Sequence, residues 1–120
     1  MADLQMGALE SQFADIIWGN EPITSSELAR RSEAALGWKK TTSFTVLKRL
    51  CDKGIFQNLK GTVTSLLSRE EYYAKQSQKF VEETFQGSLP AFLAAFTSGK
   101  ALTKEEVAQL RRMVAEYEEV

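Results

Sequence analysis

The amino-acid sequence predicts a mainly α-helical protein with one small β-hairpin. We expect a winged helix-turn-helix domain over residues 1–67 and a helical dimerisation region over residues 68–120. Two observations support this fold class. Three helical patterns precede two β-rich segments that flank a glycine, which is the order of elements in a winged helix. Three more helical segments follow, with apolar faces and no sheet of their own to cover.

The first two helices are predicted from apolar spacing and from a capping signal. Apolar residues between Leu9 and Ile17 recur at i, i+4, i+7 and i+8, which predicts a helix from about Gly7 to Trp18. The segment Thr24-Ser25-Ser26-Glu27 has the form of a capping box, in which a hydroxyl and a carboxylate satisfy free amide groups. A second helix should therefore follow it and end near Leu36.

The third helix and the hairpin complete the predicted winged helix. The helix should run from Thr41 to Lys53, with Gly54 just past its end. The segments Ile55–Lys60 and Thr62–Leu67 are rich in β-branched residues and flank Gly61, which predicts the two strands of the wing.

The region after residue 68 is predicted to hold three more helices. Ser68-Arg69-Glu70-Glu71 forms a second capping box, and the helix that it opens continues to Phe85. A short apolar helix follows over Leu89–Phe96, and Thr103-Lys104-Glu105-Glu106 caps the last one. These apolar faces could fold back on the first domain or pack against a second copy; we favour a homodimer. The candidate dimerisation residues are Phe80, Phe85, Leu89, Phe92, Leu93, Phe96, Val107, Leu110, Met113 and Val114.

Composition argues against metal sites, cofactors and catalysis. The 120 residues include no histidine and a single cysteine, Cys51, so the usual zinc and copper ligand sets and an internal disulfide are not available. We expect no catalytic residues, no metal and no cofactor. No apolar run approaches the length of a membrane span and the first residues lack a signal sequence, so no membrane insertion and a cytoplasmic location are expected.

A basic window points to double-stranded DNA as the partner. Residues 38–60 contain six cations and one acidic residue, whereas the whole chain has a net charge of −1. On a helical wheel, Leu47, Leu50 and Cys51 face the core, and the opposite side of the third helix is polar. Threonine can bond a base edge and touch a thymine methyl, and arginine can bind guanine or phosphate. The candidate DNA-binding residues are Lys39, Lys40, Thr41, Thr42, Thr45, Lys48, Arg49 and, on the wing, Lys60.

Three neighbouring residues are assigned mainly to packing. Phe44 lies at the edge of the core arc, where it either packs beneath the hairpin or contacts thymine methyls; packing is favoured. Cys51 is interpreted as a small core residue and Trp38 as a packing anchor.

The rival functions are a winged-helix protein-interaction module without specific DNA binding and an enzyme that uses carboxylates. An enzyme of this kind would need a cleft that brings distant glutamates together, and the helical pattern offers no candidate for such a cleft.

The segment from Trp38 to Gly54, WKKTTSFTVLKRLCDKG, resembles the signature W-x-x-T-T-V-x-T-x-L-x-R-L-x-x-K-G of the BlaI/MecI/CopY (penicillinase repressor) family. The likeness extends from Ile17-Trp18 to the acidic last helix. It implies a homodimeric bacterial transcriptional repressor that binds an inverted-repeat operator and uses its C-terminal helices for dimerisation. The resemblance also implies which residues of this chain contact DNA, namely Lys40, Thr41, Thr42, Thr45, Arg49 and Lys60.

The sequence departs from the family pattern at three places. Ser43 replaces the signature valine and Phe44 a commonly polar residue, so the operator sequence should differ. In β-lactam-responsive members, a membrane sensor peptidase system leads to cleavage of an Asn-Phe bond in the dimerisation arm. The matching bond here is Ala95–Phe96, which makes it the candidate regulatory cleavage site, but the asparagine is missing. The chain also lacks the cysteine-rich tail of copper-responsive members.

Overall fold

The computed structural model describes residues 5–118 and contains six helices and a three-stranded sheet in this part of the chain. The elements follow the order α1 Ala8–Asn20, β1 Ile23–Thr24, α2 Ser25–Leu36, α3 Lys40–Asp52, β2 Phe56–Leu59, β3 Thr62–Ser65, α4 Arg69–Phe85, α5 Leu89–Gly99 and α6 Lys104–Glu118. This is the predicted winged helix followed by helices. No helix between Gln5 and Glu118 is both long and apolar enough to cross a membrane.

The chain forms two compact units, Met1–Ser77 and Gln78–Val120. The first unit extends beyond the hairpin because Tyr72, in the first half of α4, is buried in its core. The functional division that we predicted after residue 67 stays a prediction.

The core of the first unit collects apolar side chains from every helix and strand between Ala8 and Tyr72. Phe13 and Ile17 of α1, Leu50 of α3 and Phe56 of β2 are fully buried at its centre. The Trp18 indole lies at one edge, where its Nε1 donates a hydrogen bond to the Leu67 carbonyl at 3.0 Å. Because this bond satisfies the polar end of a half-buried ring, Trp18 ties the end of α1 to the chain that leaves the sheet.

The sheet has the order β1-β3-β2 and is antiparallel throughout. The strand β1 was not predicted, because two residues are too few to show an alternating pattern. It pairs Ile23 with Val63, whereas the hairpin pairs Leu59 with Thr62. At the hairpin tip, Lys60 and Gly61 both have positive φ, at 53° and 87°, as a two-residue turn of this hand requires.

Four of the helices after β1 begin with a side-chain cap, supplied by Thr24, Ser68, Ser88 and Thr103. The capping signals in the sequence predicted those of α2, α4 and α6. At α2 only half of the predicted capping box forms. The Thr24 hydroxyl accepts from the Glu27 amide, but the Glu27 carboxylate bonds arginines of its own helix rather than an amide group. Ser68 and Glu71 exchange reciprocal side-chain-to-amide bonds of 2.9 and 3.0 Å, and Thr103 and Glu106 do the same. These bonds hold the pKa values of Glu71 and Glu106 below their usual range, because amide donors favour the ionised carboxylate.

The second unit buries no side chain of α5 or α6. Within it, the rings of Phe80, Phe85 and Phe92 contact one another edge to face, with centroids 5.6–5.9 Å apart. The Phe96 ring continues this group at 6.3 Å from Phe92. Phe80 nevertheless remains 50% exposed.

Candidate nucleic-acid interface

The helix α3 presents a polar face opposite a buried one. Ser43, Val46, Leu47 and Leu50 point into the core. All eight side chains predicted to face DNA are exposed, namely Lys39, Lys40, Thr41, Thr42, Thr45, Lys48 and Arg49 on or beside α3 and Lys60 on the hairpin. The helical wheel placed the core side correctly but did not assign Ser43 to it. Because Ser43 is buried, it cannot itself contact an operator, and of the two departures in α3 only Phe44 reaches the surface.

The Thr45 side chain is held in one orientation. Its hydroxyl donates a hydrogen bond to the Thr41 carbonyl one turn earlier, at 2.9 Å. Because the hydroxyl proton is engaged, the oxygen can only accept from an outside partner, and the methyl group is left to make apolar contact. In the major groove these properties match the amino groups of adenine and cytosine and the methyl group of thymine.

The cations of α3 have different neighbours. Lys48 lies 3.6 Å from Asp52, and both side chains are mostly exposed. The Lys40 ammonium lies 5.5 Å from the centre of the Phe44 ring. Such exposed pairs contribute little to stability, so these lysines can exchange their neighbours for phosphate at small cost. Arg49 is paired differently, with Glu10 of α1 at 3.3 Å.

The start of α3 combines free amide groups with two lysines, and both favour a bound anion. Lys39 is the N-cap residue and makes no side-chain capping bond. Amide groups of the first turn therefore remain available, and the helix dipole adds positive potential there. A DNA phosphate is the anion that this combination with Lys39 and Lys40 would suit.

The hairpin tip is anchored, so Lys60 stands on a defined turn. The Gly61 amide donates to Asn58 Oδ1 at 3.0 Å, and the Gly61 carbonyl accepts from the Ser25 amide at 2.8 Å. Lys60 adopts a left-handed conformation that disfavours a side chain with a Cβ atom. A cation is thus present at a position where asparagine or glycine would fit the backbone better.

Phe44 and Cys51 line a groove beside α3 that also includes Ser25, Leu47, Lys48 and Asn58. Phe44 is 37% exposed. The packing that we favoured for it from the sequence therefore covers only part of the side chain. Cys51 packs partly buried against the core, as predicted, and burial raises the pKa of its thiol. Trp38 is confirmed as a packing residue, because its ring lies 5.2 Å from that of Phe13.

Glu10 is the residue at this site that sequence reasoning missed. It lies 39 positions before Arg49 and on a different helix, so no local pattern connects the two residues. Between Gln5 and Glu118, no group of three or more metal-ligating side chains could hold a metal ion.

Comparison with known proteins identifies the family. The penicillinase repressor family model matches residues 6–116, which cover most of both compact units. The chain belongs to the penicillinase repressor family. It is also 25% identical over 117 residues to the penicillinase repressor of Bacillus licheniformis, an alignment that covers 94% of this chain and 91% of that protein.

Membership of the penicillinase repressor family decides the class of function. The protein is a DNA-binding transcriptional repressor and not an enzyme. The carboxylate-dependent enzyme weighed from the sequence is therefore excluded, and the resemblance seen in the segment from Trp38 to Gly54 is confirmed.

Proposed function

We propose that the protein represses transcription as a homodimer whose two α3 helices lie in successive major grooves of an inverted-repeat operator. The observation that carries this proposal is the α3 face itself, where threonines and cations are all exposed and the apolar side is sealed in the core. A helix whose polar and apolar sides are separated in this way can enter a major groove without disturbing the core of its own domain. Such a function belongs in the cytoplasm, with the DNA.

The residues of the α3 face would divide into readers and anchors. Thr42, Thr45 and Arg49 project from the body of the helix, where base edges are within reach. Lys39 and Lys40 stand at its start, where they and the free amide groups suit a phosphate. The first group should therefore control sequence preference, and the second should control affinity for any duplex.

Lys60 would make the wing contact. Its left-handed backbone is an unfavourable choice for lysine, and residues held in such conformations are concentrated at functional sites. We expect Lys60→Gly to stabilise the hairpin slightly and to weaken binding to every duplex. A variant that bound DNA as tightly as the wild type would remove Lys60 from the interface.

A second copy of the chain is the proposed partner of the C-terminal helices. The exposed apolar side chains of α6 include Met113 and Val114, each 57% exposed, and α5 adds Leu89 and Phe96. An apolar groove along α6 is lined by Val114 together with Leu102, Val107 and Leu110. A two-fold dimer through such faces would match the symmetry of an inverted repeat, with half-sites one helical turn or a multiple apart.

Proteolytic release is not part of the proposal. The bond Ala95–Phe96 lies inside α5, and the Phe96 carbonyl accepts from the Lys100 amide at 3.2 Å. A peptidase needs the chain locally extended, so α5 would first have to unwind. We therefore expect the folded protein to resist cleavage at this bond, and a membrane sensor peptidase is not required as a partner.

The test is selection of bound sequences from a pool of random duplexes. An enriched inverted repeat would support DNA recognition and two-fold symmetry together, and its spacing would give the distance between recognition helices. Enrichment of a single half-site would count against the dimer. Failure to retain any duplex at low salt would favour the rival protein-interaction module.

A further inference from the structure

One ion pair joins the first helix to the proposed recognition face. Arg49 Nη1 donates to Glu10 Oε1 at 3.3 Å, which links α3 to α1 across 39 positions of sequence. The other ion pair on this face, between Lys48 and Asp52, spans four positions within one helix. The first pair is thus a tertiary contact, whereas the second is a local one.

The two carboxylates differ in how firmly they are held. The Glu10 side chain is 22% exposed, whereas that of Asp52 is 70% exposed. The Glu10 Oε2 atom is buried and has no hydrogen-bond partner among the described residues. A carboxylate in this position loses much of its hydration, so its attraction for a neighbouring guanidinium is screened less than at the open surface.

The guanidinium keeps most of its binding capacity. Arginine has five N–H donors in a planar fork, and the bond to Glu10 uses only one of them. The Arg49 side chain is 51% exposed, so its remaining donors can reach an outside partner. A planar group that is fixed along one edge presents the other edge in a defined direction.

We propose that Glu10 is a positioning residue for DNA recognition, which holds the Arg49 guanidinium in the orientation that reads the operator. The proposal rests on the DNA-binding function of the α3 face. Glu10 also opposes the attraction of Arg49 for an arbitrary phosphate, because its negative charge lies beside the guanidinium. Sequence preference therefore gains from Glu10, while affinity for random DNA is reduced by it.

The test measures binding to the selected operator and to a random duplex at one salt concentration. Glu10→Gln keeps the size of the side chain and removes its charge. We expect this variant to bind random duplex more tightly. Its operator-to-random affinity ratio should be about fivefold lower, a change within the range of coupling energies between residues in contact. In an Arg49→Ala background, which has a lower ratio of its own, Glu10→Gln should leave that ratio unchanged.

Asp52→Asn is the matched control, since it removes one negative charge from the same face. It should raise affinity for both duplexes alike and leave their ratio unchanged, with or without Arg49. A second measurement does not depend on DNA. The Arg49 Nε–H signal in NMR spectra should indicate an ordered side chain in the wild type and a mobile one in Glu10→Gln, while the backbone spectrum is conserved.

Three results would overturn the proposal: an unchanged ratio in Glu10→Gln, an equal fall in Asp52→Asn, or an equal fall in the Arg49→Ala background. Each of these presupposes a wild-type protein that prefers its operator. A wild type without that preference would instead refute the proposed function, so the two failures are distinguishable.

Discussion

Replacement of Ser43 by alanine should stabilise the protein. Ser43 is 1% exposed, and its hydroxyl has no hydrogen-bond partner among the described residues. Folding therefore removes the Ser43 hydroxyl from water and returns no hydrogen bond to it.

Three contributions set the size of the effect. A buried polar group without a partner costs about 1–3 kcal/mol. Alanine is better than serine inside a helix by about 0.5 kcal/mol. The small space vacated by the oxygen costs a few tenths of a kcal/mol, at ~24 cal/mol per Å³. We expect the free energy of unfolding to rise by about 1–3 kcal/mol, which corresponds to an increase in Tm of at least about 3 °C.

Urea unfolding followed by circular dichroism, at a fixed protein concentration, measures this change. Thr42→Ala is the control, because it removes a hydroxyl from the exposed face of the same helix, where no burial cost is relieved. A Ser43→Ala variant that was less stable than the wild type would refute the reasoning, since the hydroxyl would then have to be hydrogen-bonded. The affinity of Ser43→Ala for random duplex should equal that of the wild type, because Ser43 does not reach the surface.

Four further outcomes are expected. Thr45→Ala should weaken operator binding about fivefold and leave random-duplex binding unchanged; an equal loss on both would exclude base reading. Lys39→Ala should weaken binding to both duplexes and reduce the salt slope by about 1. Val114→Asp should raise the dimer dissociation constant at least about 30-fold by sedimentation, unlike Gln109→Asp outside the α6 groove. Hydrogen bonds from two arginines lower the pKa of Glu27 to about 2, so its contribution to stability is complete above pH 4.5 and is lost as the pH falls through 2. Urea unfolding at several pH values should thus show a flatter acid dependence for Glu27→Gln.

Much of the fold was accessible from local signals. The reciprocal bonds of Ser68 with Glu71 depend on residues three positions apart, so the sequence displays both partners of the cap. The position of the hairpin turn follows from Gly61, which adopts a positive φ at no steric cost between two β-rich segments. The buried side of α3 also follows from spacing alone, since a helix repeats every 3.6 residues.

The strand β1 and the burial of Ser43 were not accessible in this way. The strand exists because β3 offers an edge to Ile23 and Thr24, a partner that lies almost forty residues later in the chain. Ser43 is buried because its place on α3 faces the core, although a hydroxyl gives no apolar signal. In both cases the outcome depends on what surrounds the residue after folding.

The α3 face shows the same division. Its threonines and cations, and their separation from the apolar side, follow from the order of residues along one helix. The different states of its cations do not, because the neighbour of Arg49 is supplied by α1 whereas that of Lys48 lies on α3 itself. Local spacing is enough to build a helix and to choose its inward side. Only packing of one helix against another brings Glu10 to Arg49, because a contact between distant residues leaves no periodic trace in the sequence.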